Sequence, residues 1–378
     1  MTRRIVDLIA PGPPTADPYA PAAPAWALAA GFARLGDAVQ VVHPAGDGGP
    51  PPPPGVATVA FPSIPRHVGS ARGDAELAHA ARQRLRPTAE LVVRDPLRPG
   101  ALGLPHGTHG PRLLALVRAA ELDAGNDDPS TKAPVGLRGR IDRWRERTVL
   151  YRLEREALEE AETLYCEGPE LLRSLAERFG LPASRLRELP RAVALPDPAP
   201  TREGSRDRIG IPHDDPLVVA LAAADDPNDP GLARTREAFV RIRPLFAGAH
   251  LVLAGASAAS GNAITVVPSR DLESLATAIA AADVAVFPTG TAGPEPGVLL
   301  ALRSAVACVV AADSGLPAGA DGAVRRLAGG DAGDLASVLA ELLADPAGRR
   351  ELASRARNYG ERFAPERVAS GVAAASAA

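Results

Sequence analysis

Residues 283–317 read DVAVFPTGTAGPEPGVLLALRSAVACVVAADSGLP. The apolar run 284–287 stops at a turn rich in proline and glycine, a helix-compatible run follows, and a second apolar run, 308–312, breaks at Asp313-Ser314-Gly315. This is a strand, loop, helix, strand unit. Its loop leads into a helix N-terminus, where backbone N–H groups can hold an anion.

The same alternation extends outward. Upstream, 217–222 and 250–253 read as strands around a turn-rich loop at 225–231 and a helix at 233–246; 264–267 and 272–281 add a strand and a helix. Downstream, 335–343 and 348–363 read as closing helices. The segment Ala194-Leu195-Pro196-Asp197-Pro198-Ala199-Pro200 suits an interdomain linker. Before it lies another array: strand 4–10, loop 11–24, an apolar helix 25–35 ending at Gly36, strands 38–43 and 56–61, helix 74–86, strands 90–93 and 113–117, strand 163–166, and helix 169–179 closed by Gly180. A β-loop-α-β opening is how a doubly wound sheet begins. Its loop lacks G-x-G-x-x-G, so dinucleotide binding by this first domain is not supported.

Composition sets the bounds. A chain of 378 residues exceeds what one hydrophobic core usually supports, which predicts two domains. With 46% hydrophobic and 23% charged residues it reads as a soluble globular protein, and a net charge of -3 gives no general reason to bind nucleic acid. Lys132 is the only lysine, so nearly all positive charge is arginine, read as codon bias and not as an arginine-based function. Cys166 and Cys308 sit in apolar runs without metal-ligand spacing, which favours buried free thiols in a reducing cytoplasm over a disulfide between them. The N-terminal apolar run is closed by Pro11 too early for a signal peptide, and no run approaches a membrane span.

Three stretches stand outside this pattern. Pro50 to Pro54 reads as a stiff surface connection or a partner motif. Residues 123–136 carry no periodicity and read as a mobile loop placed to act as a lid. Residues 137–160 form the longest helical pattern, with Trp144 among seven arginines; they read either as a basic helix on an anionic membrane or as a solvated face with Glu146, Glu154, Glu156 and Glu159 as ion-pair partners.

The run 165–193, YCEGPELLRSLAERFGLPASRLRELPRAV, resembles the end of the N-terminal domain in GT-B sugar-nucleotide glycosyltransferases of the large retaining family four. The likeness continues through DRIGIPHDDPLVVALAA, EAFVRIRPLFAGAHLVLAG and DLESLATAIAAADVAVFP, and through SGLP into the tail from DAGDLASVLAELLADPAGRRELASRARNYGERFAPERVA. It implies an α/β protein of GT-B type: two Rossmann-like doubly wound domains facing a cleft, 1–194 on the acceptor side and 201–363 on the donor side, joined by 195–200, with 364–378 as a tail returning to the first domain.

The resemblance also implies a nucleotide sugar as donor, a small or lipid acceptor, and neither metal nor other cofactor. A departing diphosphate needs fixed cations and N–H donors. The family supplies an Arg and a Lys after the first strand of the second domain; here those positions fall on Ala224 and on Asp229 or Pro230, with Arg234 and Arg236 nearby. The family's two glutamates, which hold the sugar and the ribose, fall on Ala292 and Leu300 in one register and on Gly293 and Ala301 in the other. Glu295 is the only acid of the loop, and the residue eight beyond it is Arg303. Residues 15–24 carry no match to the family's paired glycines, and the His of a middle strand falls near Arg118, which either clamps an anionic acceptor group or pairs with Glu121.

The resulting candidates are Glu295 and Arg118 for catalysis; Gly290, Gly293, Gly297, Val267 and Arg234 for the donor; and Asp95, His106 and His109 on the acceptor side. Two functions stay open: hexosyl transfer by a divergent glycosyltransferase, and an inactive relative serving as the binding or partner subunit of another protein. An epimerase on the same fold needs nucleotide-binding and acid residues that the sequence does not place.

Overall fold

The computed structural model describes residues 3–20, 22–46, 49–62, 80–81, 83–94, 112–117, 155, 158–159, 161–167, 169–221, 229–254, 263–267, 271–289, 295–316 and 318–375. The chain divides into two compact units. The first comprises Met1–Thr15, Ala20–Ala192 and Pro365–Ala378; the second comprises Ala16–Tyr19 and Val193–Ala364.

The first unit is built on a parallel sheet of β1 (Ile5–Ile9), β2 (Ala38–Pro44), β3 (Val56–Phe61), β4 (Leu91–Arg94), β5 (Arg112–Val117), β6 (Thr163–Cys166) and β7 (Leu186–Glu188), in the order β3-β2-β1-β4-β5-β6-β7. The order reverses at β1, which pairs with β2 on one side (Val6 with Val39) and β4 on the other (Val6 with Leu91). Helix α1 (Ala23–Arg34) starts two residues before the sequence pattern suggests, because Pro24 fits the first turn, where no N–H is needed. It buries Trp26, Leu28 and Phe32. Helix α2 is Pro169–Phe179, stopped by Gly180 at φ 64°.

The second unit repeats the plan. Its strands are β8 (Leu217–Leu221), β9 (His250–Ala254), β10 (Ile264–Val267), β11 (Val284–Phe287), β12 (Ala307–Val310) and the short β13 (Arg325–Arg326), ordered β10-β9-β8-β11-β12-β13 and all parallel. Alternation along each strand sends side chains to two separate cores. Val219, Leu221, Ala285, Phe287, Cys308 and Val310 share one, while Val218, Ala220, Val284, Val286, Ala307 and Val309 share the other. The helices of this unit are α3 (Arg202–Ile209), α4 (Pro230–Ile242), α5 (Leu272–Ala281), α6 (Pro296–Arg303), α7 (Ala332–Ala344) and α8 (Pro346–Gly360).

A last helix, α9 (Pro365–Ala375), belongs to the first unit and packs on α1. Gly31 allows this approach, since a Cβ there would collide with the Pro365 carbonyl. Arg34 pairs with Glu366 beside it.

Helix α3 is absent from the sequence pattern because its residues, REGSRDRI, carry almost no apolar stripe. It forms because Thr201 caps its N-terminus through the Gly204 N–H and Gly210 closes it at φ 72°. Its purpose is Arg206, which is 0% exposed. That guanidinium donates to the carbonyls of Ala281 (3.0 Å), Pro212 (2.7 Å), His213 (2.8 Å) and Asp215 (2.7 Å), and to Asp283 Oδ2 (2.9 Å). Burial pulls the Arg206 pKa down, and the Asp283 carboxylate opposes that shift.

Both cysteines are free and buried. Burial pushes the Cys166 thiol up to about 12 and raises Cys308 as well. No helix among the described residues is long and apolar enough to cross a membrane.

Two outcomes follow from this packing. Arg206→Leu removes a fully buried guanidinium with its bonds to four carbonyls and to Asp283, and is expected to cost about 3–5 kcal/mol in urea unfolding; a change within ~0.5 kcal/mol would contradict the assignment. Both thiols should resist a thiolate-selective reagent at pH 8 in the native protein and react fully in guanidinium, because thiolate is the reactive form. Rapid native labelling would contradict their placement.

Candidate functional site

In an open α/β sheet, ligands gather outside the carboxyl ends of the strands where the strand order reverses. In the second unit this point lies between β8 and β11. Asp229, Gly231, Thr289, Glu295 and Gly297 come together there, with Tyr19 from the short segment that belongs to this unit.

Asp229 stands immediately before α4 and is 6% exposed. Its Oδ1 accepts the Gly231 N–H at 2.7 Å and the Thr289 hydroxyl at 3.1 Å. Asp-Pro-Gly is a helix-start signal, with the acid as cap and proline in the first turn. Gly231 has no room for a Cβ, which would meet Pro288 Cγ at 2.9 Å and Asp229 Oδ1 at 3.1 Å. The carboxylate therefore ties the start of α4 to the residue two past β11.

Arg234 lies one turn on. Its guanidinium donates to the carbonyls of Pro288 (2.9 Å), Pro230 (3.3 Å) and Gly330. Arg234 thus sits at the expected place beside the crevice, with its donors directed at backbone. Arg236, two residues further, has Nε and Nη2 buried without a hydrogen-bond partner among the described residues.

Glu295 precedes α6 and makes no capping bond to its own helix. It is 7% exposed, and its Oε1 accepts the Tyr19 hydroxyl at 2.9 Å. Gly297, in the first turn of α6, faces the same phenol: an added Cβ would lie 2.6 Å from the Tyr19 oxygen. Further along α6, Leu300 and Ala301 are 0% exposed within the core. In either register, the position where the resemblance expects a ribose-binding glutamate is therefore core. Arg303 donates to the Val193 carbonyl.

Val267 ends β10, half-buried and paired with Ala254. Ala224, Gly290, Ala292, Gly293, Asp95, His106, His109 and Arg118 lie outside the described residues, as do 123–136 and most of 137–160. The structure thus brings Glu295 and Gly297 together and sets Arg234 at the same strand ends. Tyr19 and Thr289 were not singled out from sequence. Thr289 follows β11 by two residues and carries no distinguishing pattern, whereas Tyr19 is 276 positions from its partner. No group of three or more His, Cys, Asp or Glu side chains suited to a metal is gathered among the described residues.

No protein-family profile matches the sequence, and no curated protein matches it. Solved structures do. A sucrose-phosphate synthase from Thermosynechococcus elongatus is 17% identical at a TM-score of 0.66, over 99% of this chain and 98% of its own. The lipopolysaccharide-biosynthesis glycosyltransferase WaaG is 15% identical at 0.63, over 97% and 99%. Anabaena HepE, in complex with UDP and glucose, is 13% identical at 0.59, over 99% of each. The likeness spans the whole chain at low identity, and the fold it shows is that of GT-B glycosyltransferases, two Rossmann-like units.

The Asp229 cap gives a direct check. Asp229→Ala should lower stability by about 1 kcal/mol, within the usual 0.5–2 kcal/mol for a lost cap, read by urea unfolding. An unchanged midpoint would mean that the carboxylate does not hold α4 in place.

Proposed function

We propose that the protein binds a nucleotide sugar at the β8–β11 crevice and transfers its hexosyl group to a small or lipid acceptor. The observation that carries this reading is the pair of reversed-order parallel sheets, matched along the whole chain to glycosyltransferases, one of them holding UDP and glucose. In such a transfer the bond from the anomeric carbon to the diphosphate oxygen breaks. The acceptor oxygen bonds that carbon, and its proton passes to the leaving diphosphate. Positive charge and N–H donors favour the step by meeting the developing anion. The first turn of α6 and the Arg234 cation are the parts of this chain at the crevice able to contribute. No metal enters this reading. A lipid acceptor would bring the arginine-rich stretch 137–160 to an anionic bilayer.

A second reading, a non-catalytic binding subunit, is favoured by three features of the same crevice. Asp229 places a carboxylate beside the expected diphosphate, Arg234 spends its donors on carbonyls, and the ribose position is core.

Calorimetry against UDP-, GDP-, ADP- and TDP-sugars separates the two. Micromolar binding of one of them, with nucleotide release on adding an acceptor, is the expected outcome. Binding of none, together with a stable complex with a second protein, would replace the first reading by the second.

A further inference from the structure

Residues 16–19 belong to the second unit, although the chain on either side of them belongs to the first. They are held there at two points. The Leu272 N–H, at the start of α5, donates to the Ala16 carbonyl at 2.7 Å. The Tyr19 hydroxyl donates to Glu295 Oε1 at 2.9 Å, and its ring packs against the core beneath β8 and β11. Asp17 shapes the turn by accepting the Tyr19 N–H at 2.8 Å. A phenol and a sugar hydroxyl offer a carboxylate the same O–H donor. Glu295, the only acid of its loop, is buried beneath such a donor supplied by the chain itself.

We propose that residues 16–19 form an intramolecular latch: the Tyr19 phenol occupies Glu295 in place of a sugar hydroxyl, and a sugar reaches that carboxylate only after the latch is released. This rests on the donor reading above for the identity of the ligand, but not for the latch itself. The population of released protein sets the apparent affinity, which falls below the intrinsic affinity by the fraction open. Gly297 completes the device, because only a residue without Cβ lets the phenol reach the first turn of α6.

Amide hydrogen exchange on the full chain, with UDP-glucose as probe, tests both parts. In Tyr19→Phe the ring stays and the hydroxyl goes, so the Leu272 amide should exchange about tenfold faster, while core amides such as Val219 keep their rates. Gly297→Ala sets a Cβ 2.6 Å from the phenol oxygen and should accelerate the same amide, again with Val219 unchanged. UDP-glucose should bind Tyr19→Phe about tenfold more tightly than the unmodified protein, and should speed Leu272 exchange in the latter. Leu272 exchange unchanged in both variants overturns the latch. So does UDP-glucose bound to the unmodified protein with Leu272 still protected. Faster exchange in the variants, with no nucleotide sugar bound by any form, upholds the latch and removes the donor reading.

Discussion

In each unit an arginine–aspartate pair with one fully buried member, Arg206 with Asp283 and Asp7 with Arg86, fastens the amino-terminal edge of the sheet, and the layout of both units depends on it. In the second unit Arg206 reaches Asp283, just before β11, and gathers the carbonyls that lead into β8. Asp283 in turn accepts the Leu217 N–H at 2.9 Å and pairs with Arg202 and Arg349. In the first unit Asp7, inside β1 and 0% exposed, accepts Arg86 at 2.6 Å, and Arg86 also donates to the carbonyls of Val6 and Ala38. Removing two charges from water costs several kcal/mol each, and only good geometry with further hydrogen bonds repays it. Both pairs meet that condition through backbone carbonyls. The strand order is thereby pinned at one end, and the carboxyl ends are left to the loops.

At those carboxyl ends in the second unit Asp229, Thr289, Glu295 and Arg234 find hydrogen-bond partners within the chain. The start of α4 attracts a negative charge by about 0.3–1 kcal/mol in exposed settings, and up to ~2 kcal/mol when partly buried. Asp229 takes that place. A phosphate brought within 4 Å of the same carboxylate would meet a repulsion of roughly 4 kcal/mol at the effective dielectric of a protein surface, more than the helix end returns. The start of α4 thus already carries a fixed negative charge where a helix end would otherwise favour a bound anion. Any anion held there must be held by cations whose charge outweighs Asp229.

Sequence exposed the frame far better than the site, and the reason is physical. Parallel strands covered on both faces read as short apolar runs, so 284–287 coincides with β11; 264–267 and 272–281 likewise coincide with the edge strand β10 and the helix α5. Helix α3 escaped because its stability comes from a cap and one buried arginine, and not from an apolar stripe. Strand β13, two arginines long, has no periodicity to read. Asp229 was visible as an acid in the wrong place for a diphosphate, but its role as a helix cap required seeing α4 begin at Pro230 and not at Ala233. The bond from Tyr19 to Glu295 joins chain positions that no local pattern relates.

The same chemistry accounts for what the crevice lacks. A guanidinium offers five donors in a planar fork and stays charged when buried, so it can bind several carbonyls at once, which an ammonium on a flexible stem does less well. With a single lysine in 378 residues, this chain uses arginine wherever a cation is needed. Arg185 gathers the carbonyls of Leu158, Glu159 and Ala161, Arg326 reaches those of Ser314 and Leu316, and Arg349 those of Leu342 and Leu343. Arg234 at the crevice follows the same habit and fixes Pro288 and Gly330. A guanidinium bound to neutral carbonyls still carries its full charge, so Arg234 can attract an anion at a distance while three of its five donors stay committed to backbone. Most of the hydrogen-bonding capacity of this cation is thus spent on holding the backbone around the crevice, and its charge is what remains to act at a distance.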